Sequence, residues 1–192
     1  MRKKGLIIII SGPSGVGKKT LIDQFINDSA LNLVYSISMT TRKARELEKD
    51  GVDYFFVDDT RFVEAVNNNE LIEWAEFAKN KYGTPLRNIY NQINNGKNVI
   101  LEIEVIGATL VKEKLNRNEF ISIFIVPPSL KELKSRLETR NTETPEKIEE
   151  RIKRAEHEIK LTGEYDYVVL NDCHERAAKE MKEIIVNEIS KK

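Results

Sequence analysis

The sequence is poor in the residues that build metal centres and disulfide bridges. Its 192 residues include one cysteine, Cys173, and two histidines, His157 and His174. A single cysteine excludes an internal disulfide, and these three residues lack the spacing of a zinc site. Because free thiols persist in reducing compartments, this composition favours a cytoplasmic protein.

The sequence also lacks an excess of charge of either sign. Lys and Arg together number 31, as do Asp and Glu, so the formal net charge is zero. Such a balance gives no overall field that would draw the protein to nucleic acid or to an anionic membrane. No apolar run approaches the length of a membrane span, about 20 residues. We therefore expect neither nucleic acid nor membrane as a partner, and a local cluster of cations wherever an anion binds.

What the sequence does contain is a glycine-rich loop that follows an apolar run. The pattern G-x-x-x-x-G-K is met from Gly12 to Lys18. Glycines in such a loop let successive backbone N–H groups converge on phosphate oxygens, and the lysine adds a cation near the β and γ phosphates. We predict an ATP-binding loop composed of Ser11, Gly12, Pro13, Ser14, Gly15, Val16, Gly17, Lys18, Lys19 and Thr20.

The loop departs from the pattern at the residue after its lysine. A Ser or Thr usually stands there and offers its hydroxyl to Mg²⁺, whereas this chain has Lys19 and then Thr20. Mg²⁺ keeps several of its waters and takes few protein ligands, so the departure is tolerable. We expect Mg²⁺ as the cofactor, Thr20 to assist it from the first helical turn, and Lys19 to point outward to solvent or phosphate.

Short β-branched runs alternate with longer charged segments of helical period. The predicted strands are Leu6–Ile10, Val99–Val105, Phe120–Val126 and Tyr167–Leu170, and the predicted helices are Lys18–Asn27, Asp59–Asn68, Pro85–Asn94, Gly107–Leu115, Ser129–Arg140, Pro145–Leu161 and Glu175–Ser190. This alternation predicts one α/β domain of the P-loop NTPase type, a parallel sheet flanked by helices. The aromatic-rich stretch 34–97 indicates an inserted lobe, and the charged stretch 131–158 suits a mobile cover.

Six separate motifs resemble those of guanylate kinases, in the order that the family has them. They are Ser11–Lys18, Ser36–Arg45, Gly51–Val57, Ile72–Ala75, Tyr82–Pro85 and Leu101–Glu104. The resemblance covers nearly the whole chain and implies a core at about 1–34, 98–130 and 159–192, a GMP-binding lobe at about 35–97 and a helical lid at about 131–158. It implies phosphorylation of GMP, and also of dGMP, by ATP with Mg²⁺.

The resemblance assigns Arg42, Arg45, Tyr54 and Tyr82 to the phosphate of GMP. A guanidinium grips phosphate oxygens in pairs, which suits the two arginines. Outside this context, an isolated R-x-x-R would more often be a solvated basic turn, and the tyrosines would be core residues with a polar tip.

The base of GMP is assigned to Glu73, Ser38 and Thr84. Guanine offers its N1–H and 2-amino donors side by side, so one carboxylate accepts both, and by resemblance Glu73 does so. Ser38 would donate to O6, and Thr84 would support the base or the phosphate contacts. Without the resemblance, Glu73 would be an ordinary surface carboxylate of a helix.

Two carboxylates, Glu102 and Glu104, alternate with apolar residues at the end of a predicted buried strand, where ligands meet parallel sheets. By resemblance Glu102 orders water bound to Mg²⁺, and Glu104 faces the guanine or its ribose. Guanylate kinases generally have Asp at the second position and often Gln where Ile106 stands, so Glu104 is longer by one methylene.

The lid is expected to supply arginines because phosphoryl transfer depends on alignment and charge neutralisation. Arg136, Arg140 and Arg151 resemble the family's lid arginines and, with Lys18 and Arg42, form the predicted catalytic set. Surface salt bridges are the alternative for any one of them. By resemblance Asn171, after the last strand, contacts the adenine of ATP.

Two other functions stay open at this point. A binding module with this fold but no catalysis is one, and a kinase acting on AMP or UMP is the other. Lys18 and the arginines argue against the module, and Glu73 with Ser38 favours guanine. The sequence leaves monomer and homodimer equally open.

Overall fold

The computed structural model describes residues 3–77, 79–139 and 144–192. Within them, strands and helices alternate along much of the chain. The strands are β1 (Ile7–Ser11), β2 (Leu33–Tyr35), β3 (Met39–Thr40), β4 (Phe55–Phe56), β5 (Leu71–Phe77), β6 (Asn80–Pro85), β7 (Asn98–Glu102), β8 (Phe120–Val126) and β9 (Tyr167–Leu170). The helices are α1 (Lys18–Ile22), α2 (Asp59–Asn67), α3 (Leu86–Asn94), α4 (Val105–Lys114), α5 (Leu130–Thr139), α6 (Pro145–Ile159) and α7 (His174–Ser190).

A parallel sheet of five strands, ordered β2-β7-β1-β8-β9, forms the centre of the fold. The four isoleucines of β1 are fully buried and point alternately to the two faces. Ile8 and Ile10 pack in the cluster that includes α1, α5, α6 and α7, whereas Ile7 and Ile9 pack in the one that includes α3 and α4. This arrangement confirms the predicted parallel sheet with helices on both faces.

A second, smaller sheet lies in the chain between β2 and β7. Its strand order is β4-β3-β6-β5, with β5 and β6 antiparallel to each other. It has its own apolar cluster, in which Phe62 of α2 packs with Met39 and Leu71. This sheet corresponds to the predicted lobe, and the boundaries of core, lobe and lid stay a prediction.

Several predicted boundaries were wrong, and those at β7, α4 and α1 bear on the site. β7 ends at Glu102 instead of Val105, and α4 begins at Val105 instead of Gly107, because the backbone of Glu104 is extended as it enters the helix. Helix α1 ends at Ile22 because the next turns close on three residues, as in the bond from the Phe25 N–H to the Ile22 carbonyl.

The start of α5 agrees with its predicted capping residue. The Ser129 hydroxyl accepts a hydrogen bond of 3.1 Å from the Glu132 N–H. The predicted extension of this helix to Arg140 lies outside the described residues. Among the residues that the structure does describe, every helix is too short or too polar to cross a membrane.

Candidate active site

The glycine-rich loop joins β1 to α1 and is shaped by close backbone approaches. Gly12 has a φ of +144°, and a Cβ there would lie 2.4 Å from the carbonyl oxygen of Ile125. Gly17 has a φ of +98°, and a Cβ there would lie 2.8 Å from the Asn171 amide nitrogen. Side chains at either position would force the loop away from β8 or from Asn171. Glycine therefore keeps this loop folded against the ends of the strands.

The side chain of Lys18 folds back onto the glycine-rich loop. Its Nζ donates to the carbonyl of Gly12 at 2.7 Å. Burial lowers the pKa of the ammonium, while the carboxylates of Glu102, Glu104 and Glu158 act in the opposite direction. The site thus holds a desolvated cation at the loop, with acidic groups around it.

The two residues after Lys18 are directed elsewhere. The Lys19 Nζ lies 3.3 Å from Asp23 Oδ1 and 5.2 Å from the ring centroid of Tyr35, and the side chain is 70% exposed. Thr20 is exposed on α1. The Lys19 ammonium therefore lies outside the loop, as expected, and ligation of a metal by Thr20 stays a prediction.

A cavity of about 440 Å³ brings together most of the residues predicted for the acceptor. Its lining includes Ser38, Tyr54, Glu73, Tyr82, Glu102 and Glu104, together with residues that the sequence did not single out, among them Gly107 and Arg154. These residues come from the small sheet, from the end of β7, and from α4 and α6. The cavity therefore lies between the two sheets at the carboxyl end of β7.

Glu73 is a buried carboxylate at this cavity, not a residue of a helix. It lies on β5 opposite Thr84 of β6, whose hydroxyl donates to Oε1 at 2.5 Å, and only 8% of Glu73 is exposed. A Cβ at Gly107 would lie 3.2 Å from Oε2. Burial raises the pKa of Glu73 although the Thr84 hydrogen bond acts in the opposite direction. Thr84 and Gly107 together fix the position of the carboxylate.

Arg42 lies beside two aromatic rings, that of Tyr54, which lines the cavity, and that of Phe56. Its guanidinium carbon is 5.3 Å from the ring centroid of Tyr54 and 5.7 Å from that of Phe56. Both of its terminal nitrogens donate to Glu48, at 2.8 and 2.9 Å, and this pairing lowers the pKa of Glu48 to about 2. The Tyr54 and Tyr82 centroids are 6.2 Å apart. The guanidinium of Arg42 and the phenol rings of Tyr54 and Tyr82 therefore form one group.

Arg45 lies at the edge of the same group. Its side chain is exposed, and its backbone N–H donates to Glu48 at 2.8 Å. The structure therefore joins Arg45 to Arg42 through one carboxylate, and a contact of the Arg45 guanidinium with phosphate stays a prediction.

The predicted lid arginines differ in their surroundings. Arg151 of α6 donates to the Ser14 hydroxyl of the phosphate loop at 3.0 Å. Arg136 of α5 donates to the carbonyl of Asn171 at 3.1 Å and to Glu132 at 3.1 Å. Arg140 lies outside the described residues. Helices α5 and α6 therefore each place one arginine beside the loop or the strand end next to it.

Asn171 is fully buried beneath the phosphate loop. Its side-chain amide donates to the carbonyl of Val16 at 2.7 Å, while its own Oδ1 is buried and accepts no hydrogen bond from any residue that the structure describes. In this structure the side chain ties the loop to the end of β9. Its contact with adenine stays a prediction.

Sequence reasoning missed four residues of the site: Glu48, Gly107, Arg154 and Glu158. Arg154 follows Arg151 by three residues on α6, so helical spacing could have found it. Glu158 follows Arg154 by four residues on the same helix, so the same spacing pairs it with that arginine. Glu48 and Gly107 carry no such signal, because their roles depend on Arg42 and Glu73, which lie six or more residues away along the chain.

The described residues contain no group of three or more His, Cys, Asp or Glu side chains that could hold a metal ion. A single carboxylate, Glu102, ends β7 beside the cavity, close enough to Lys18 for the two charges to affect each other's pKa. One carboxylate is too few to hold a metal ion by protein groups alone. It does suit Mg²⁺ that binds together with substrate, because Mg²⁺ uses one or two carboxylates along with substrate phosphates and water.

Comparisons with known proteins agree in one family. Residues 4–188 match the family model described as guanylate kinase. The guanylate kinase of Malacoplasma penetrans (strain HF-2) is 62% identical over 190 residues, which cover 99% of this chain and 97% of that protein. The guanylate kinase of Bacillus cereus (strain ZK / E33L) is 48% identical over 186 residues, which cover 97% and 90%. The crystal structure of guanylate kinase from Anaplasma phagocytophilum aligns with a TM-score of 0.74 at 36% identity, over 98% of this chain and 88% of that one. The chain therefore belongs to the guanylate kinase family of enzymes.

Proposed function

We propose that the protein transfers the γ-phosphoryl group of ATP to GMP or dGMP, with Mg²⁺, to form ADP and GDP or dGDP. The observation that carries this proposal is the buried Glu73 carboxylate, held by Thr84 in a cavity that reaches from the small sheet to Glu102 and Glu104. A carboxylate in that position accepts from N1–H and the 2-amino group of guanine. These contacts involve the base and not the sugar, so the proposal includes both GMP and dGMP.

The acceptor phosphate is assigned to Arg42, Tyr54 and Tyr82, with Arg45 at the edge. Arg42 already presents both terminal nitrogens to the two oxygens of Glu48, at 2.8 and 2.9 Å. A phosphate offers the same paired geometry and more negative charge, so it competes well for this guanidinium. Ser38, which also lines the cavity, is assigned to O6 of guanine.

The donor phosphates are assigned to the loop from Ser11 to Thr20. Its backbone N–H groups and the Lys18 ammonium are proposed to bind the β and γ phosphates, and the contact of that ammonium with the Gly12 carbonyl keeps it at the loop. Arg151, bonded to Ser14, already lies at the loop from the α6 side. Arg136 and Arg140 complete the proposed catalytic set, although Arg140 lies outside the described residues.

An oxygen of the GMP phosphate attacks the γ-phosphorus, and the bond from that phosphorus to the bridging oxygen breaks as ADP leaves with the electron pair. The attacking group is already an anion, so the site needs no strong general base. Lys18 and the arginines align the two nucleotides and offset the charge of the transferring group. When bound with ATP, Mg²⁺ neutralises charge on the β and γ phosphates, and Glu102 through water and Thr20 are the residues proposed to hold it.

Product identification tests the proposal. The purified protein is incubated with ATP, MgCl₂ and either GMP or dGMP, and the products are separated and weighed by mass spectrometry. Equal amounts of ADP and GDP, or of ADP and dGDP, are expected, and EDTA should stop the reaction. ADP without a guanine diphosphate would indicate an ATPase and would contradict the proposal.

Gly107→Ala should weaken GMP binding without unfolding the protein. The new Cβ would lie 3.2 Å from Glu73 Oε2, so the carboxylate must shift by a few tenths of an ångström. We expect the KM for GMP to rise about tenfold while the KM for ATP stays the same. Because alanine favours a helix more than glycine does, the melting temperature should hold or rise.

Gly163→Ala is the matched control for that substitution, since a Cβ at Gly163 meets no atom within 4 Å. It should leave both KM values unchanged. An unchanged KM for GMP in Gly107→Ala, or an equal rise in the KM for ATP, would show that Gly107 does not position the guanine carboxylate.

Glu102→Gln should raise the Mg²⁺ concentration that supports half-maximal activity, by about tenfold. The substitution removes the carboxylate proposed to order metal-bound water, and groups that act through water typically contribute a factor of 10–100 in metal affinity or activity. A MgCl₂ titration at fixed ATP measures the effect, with Glu113→Gln on the exposed face of α4 as the control. Overlapping titration curves for the two variants would remove Glu102 from the metal site.

A further inference from the structure

Arg154 lies on the face of α6 that is directed at the nucleotide-binding elements. It follows Arg151 by three residues, and residues at that spacing share a helix face. Arg151 donates to Ser14 of the phosphate loop, whereas Arg154 donates to Glu104 at the start of α4. One helix face therefore supplies two arginines, one to the donor loop and one to the acceptor cavity.

Two cavities meet at Arg154. The acceptor cavity is lined in part by Glu73, Glu104 and Arg154. A smaller cavity of about 60 Å³ is lined by Gly12 and Ser14 of the phosphate loop, by Glu104, and by Arg151, Arg154 and Glu158 of α6. Glu104 and Arg154 line both cavities. Their position is therefore the junction between the cavity at the phosphate loop and the acceptor cavity.

The two carboxylates that hold Arg154 differ in burial. Glu158 accepts from the Arg154 Nε at 2.8 Å and is itself only 8% exposed, so it is a firm anchor on the same helix. Glu104 accepts from Nη2, and its side chain is 58% exposed. An exposed ion pair contributes little to stability, so a phosphate at the junction readily replaces the Glu104 carboxylate.

We propose that Arg154 is a further catalytic arginine, which exchanges Glu104 for the phosphoryl group in transit between ATP and GMP. This inference rests on the proposed function. Glu158 keeps the guanidinium aimed at the junction during the exchange, and Glu104 is released towards the acceptor cavity. The charge of Arg154 then acts at the place where charge develops in the transition state, so its main effect falls on kcat.

The test compares Arg154→Gln and Arg154→Lys with Lys153→Gln, a control at the adjacent exposed position of α6. We expect Arg154→Gln to lower kcat about 10²-fold with the KM for GMP changed less than about threefold. Arg154→Lys should restore only part of the loss, because an ammonium lacks the paired donors of a guanidinium. Lys153→Gln should stay within about twofold of the parent protein.

Glu104→Gln and the double variant distinguish a catalytic role from a structural one. If Arg154 only fixes Glu104, then Glu104→Gln alone loses as much kcat as Arg154→Gln, and the double variant loses no more; that result overturns the proposal. So does a kcat for Arg154→Gln within twofold of the parent. An inactive parent protein would instead refute the proposed function, which the product analysis reveals before any variant is made.

Discussion

Lys18→Met should lower kcat by about 10³-fold at saturating ATP and GMP. The Lys18 ammonium lies at the glycine-rich loop, with its Nζ 2.7 Å from the carbonyl oxygen of Gly12. Methionine has similar length and fills the same space without charge, so the loop keeps its shape while the β and γ phosphates lose a counter-charge. One well-placed donor in a site that excludes water contributes a factor of 10²–10³ to kcat, and a full charge contributes at least as much.

Steady-state kinetics with coupled ADP release measure this loss. Lys179→Met on α7 is the control, since its side chain is 78% exposed and its ion pair with Glu183 is long, at 4.0 Å. Lys19→Met should also cost far less than Lys18→Met, because its ammonium lies near Asp23 and Tyr35. Equal losses for Lys18→Met and Lys19→Met would contradict the assignment of the phosphate cation to Lys18.

Glu73→Gln should lower kcat/KM for GMP by about 10–10²-fold. The amide keeps the shape of the carboxylate and still accepts from the Thr84 hydroxyl through its oxygen. Its NH₂ group, however, would face the N1–H or the 2-amino donor of the proposed guanine, and an unpaired polar group in a buried site costs about 1–3 kcal/mol. Glu64→Gln, on the exposed face of α2, is the control. A Glu73→Gln variant with parental kcat/KM would remove guanine recognition from this residue.

Although Glu73→Gln should lower activity, it should preserve or raise the stability of the folded protein. The sign of this effect follows from the raised pKa of Glu73. In the folded protein burial favours the neutral carboxyl, so its pKa lies above the unfolded value of about 4.5. Folding therefore loses stability as the pH rises from the unfolded value through the folded one. Glutamine has no charge to bury, so the melting temperature of Glu73→Gln at neutral pH should match or exceed that of the parent protein. A lower melting temperature for the variant would contradict this account of the buried carboxylate.

Acceptor binding should also depend on pH for the same reason. The ionised carboxylate accepts from both guanine donors, whereas the protonated form presents one donor of its own. The KM for GMP is therefore expected to rise as the pH falls through the raised pKa of Glu73. In Glu73→Gln this part of the pH dependence should disappear.

The sequence predicted the elements whose physical cause is local. Four consecutive isoleucines before a glycine-rich loop predicted β1 and the phosphate loop, and Ser129 three residues before Glu132 predicted the start of α5. The resemblance to guanylate kinases, not the local pattern, selected Glu73, which lies on a strand. Without the resemblance, the sequence favoured an ordinary surface carboxylate of a helix at this position.

Features that depend on contacts between distant segments could not be predicted from the sequence. The last pairing of β7 with β1 joins Glu102 to Ile10, and the burial of Asn171 follows from how the phosphate loop folds back on the end of β9. The contact of Arg154 with Glu104 joins residues 50 positions apart. The periodicity of one segment does not record such contacts, because each joins residues from separate segments of the chain.

Acceptor selectivity tests the central claim most directly. Coupled ADP release is measured with GMP, dGMP, AMP, UMP and CMP as separate acceptors, and kcat/KM is compared. Because the Glu73 site requires two adjacent donors on the base, kcat/KM for GMP should exceed that for AMP by about 10⁴-fold or more. A ratio near one, a preference for AMP, or no turnover with any acceptor would contradict the assignment of this protein as a GMP-phosphorylating enzyme.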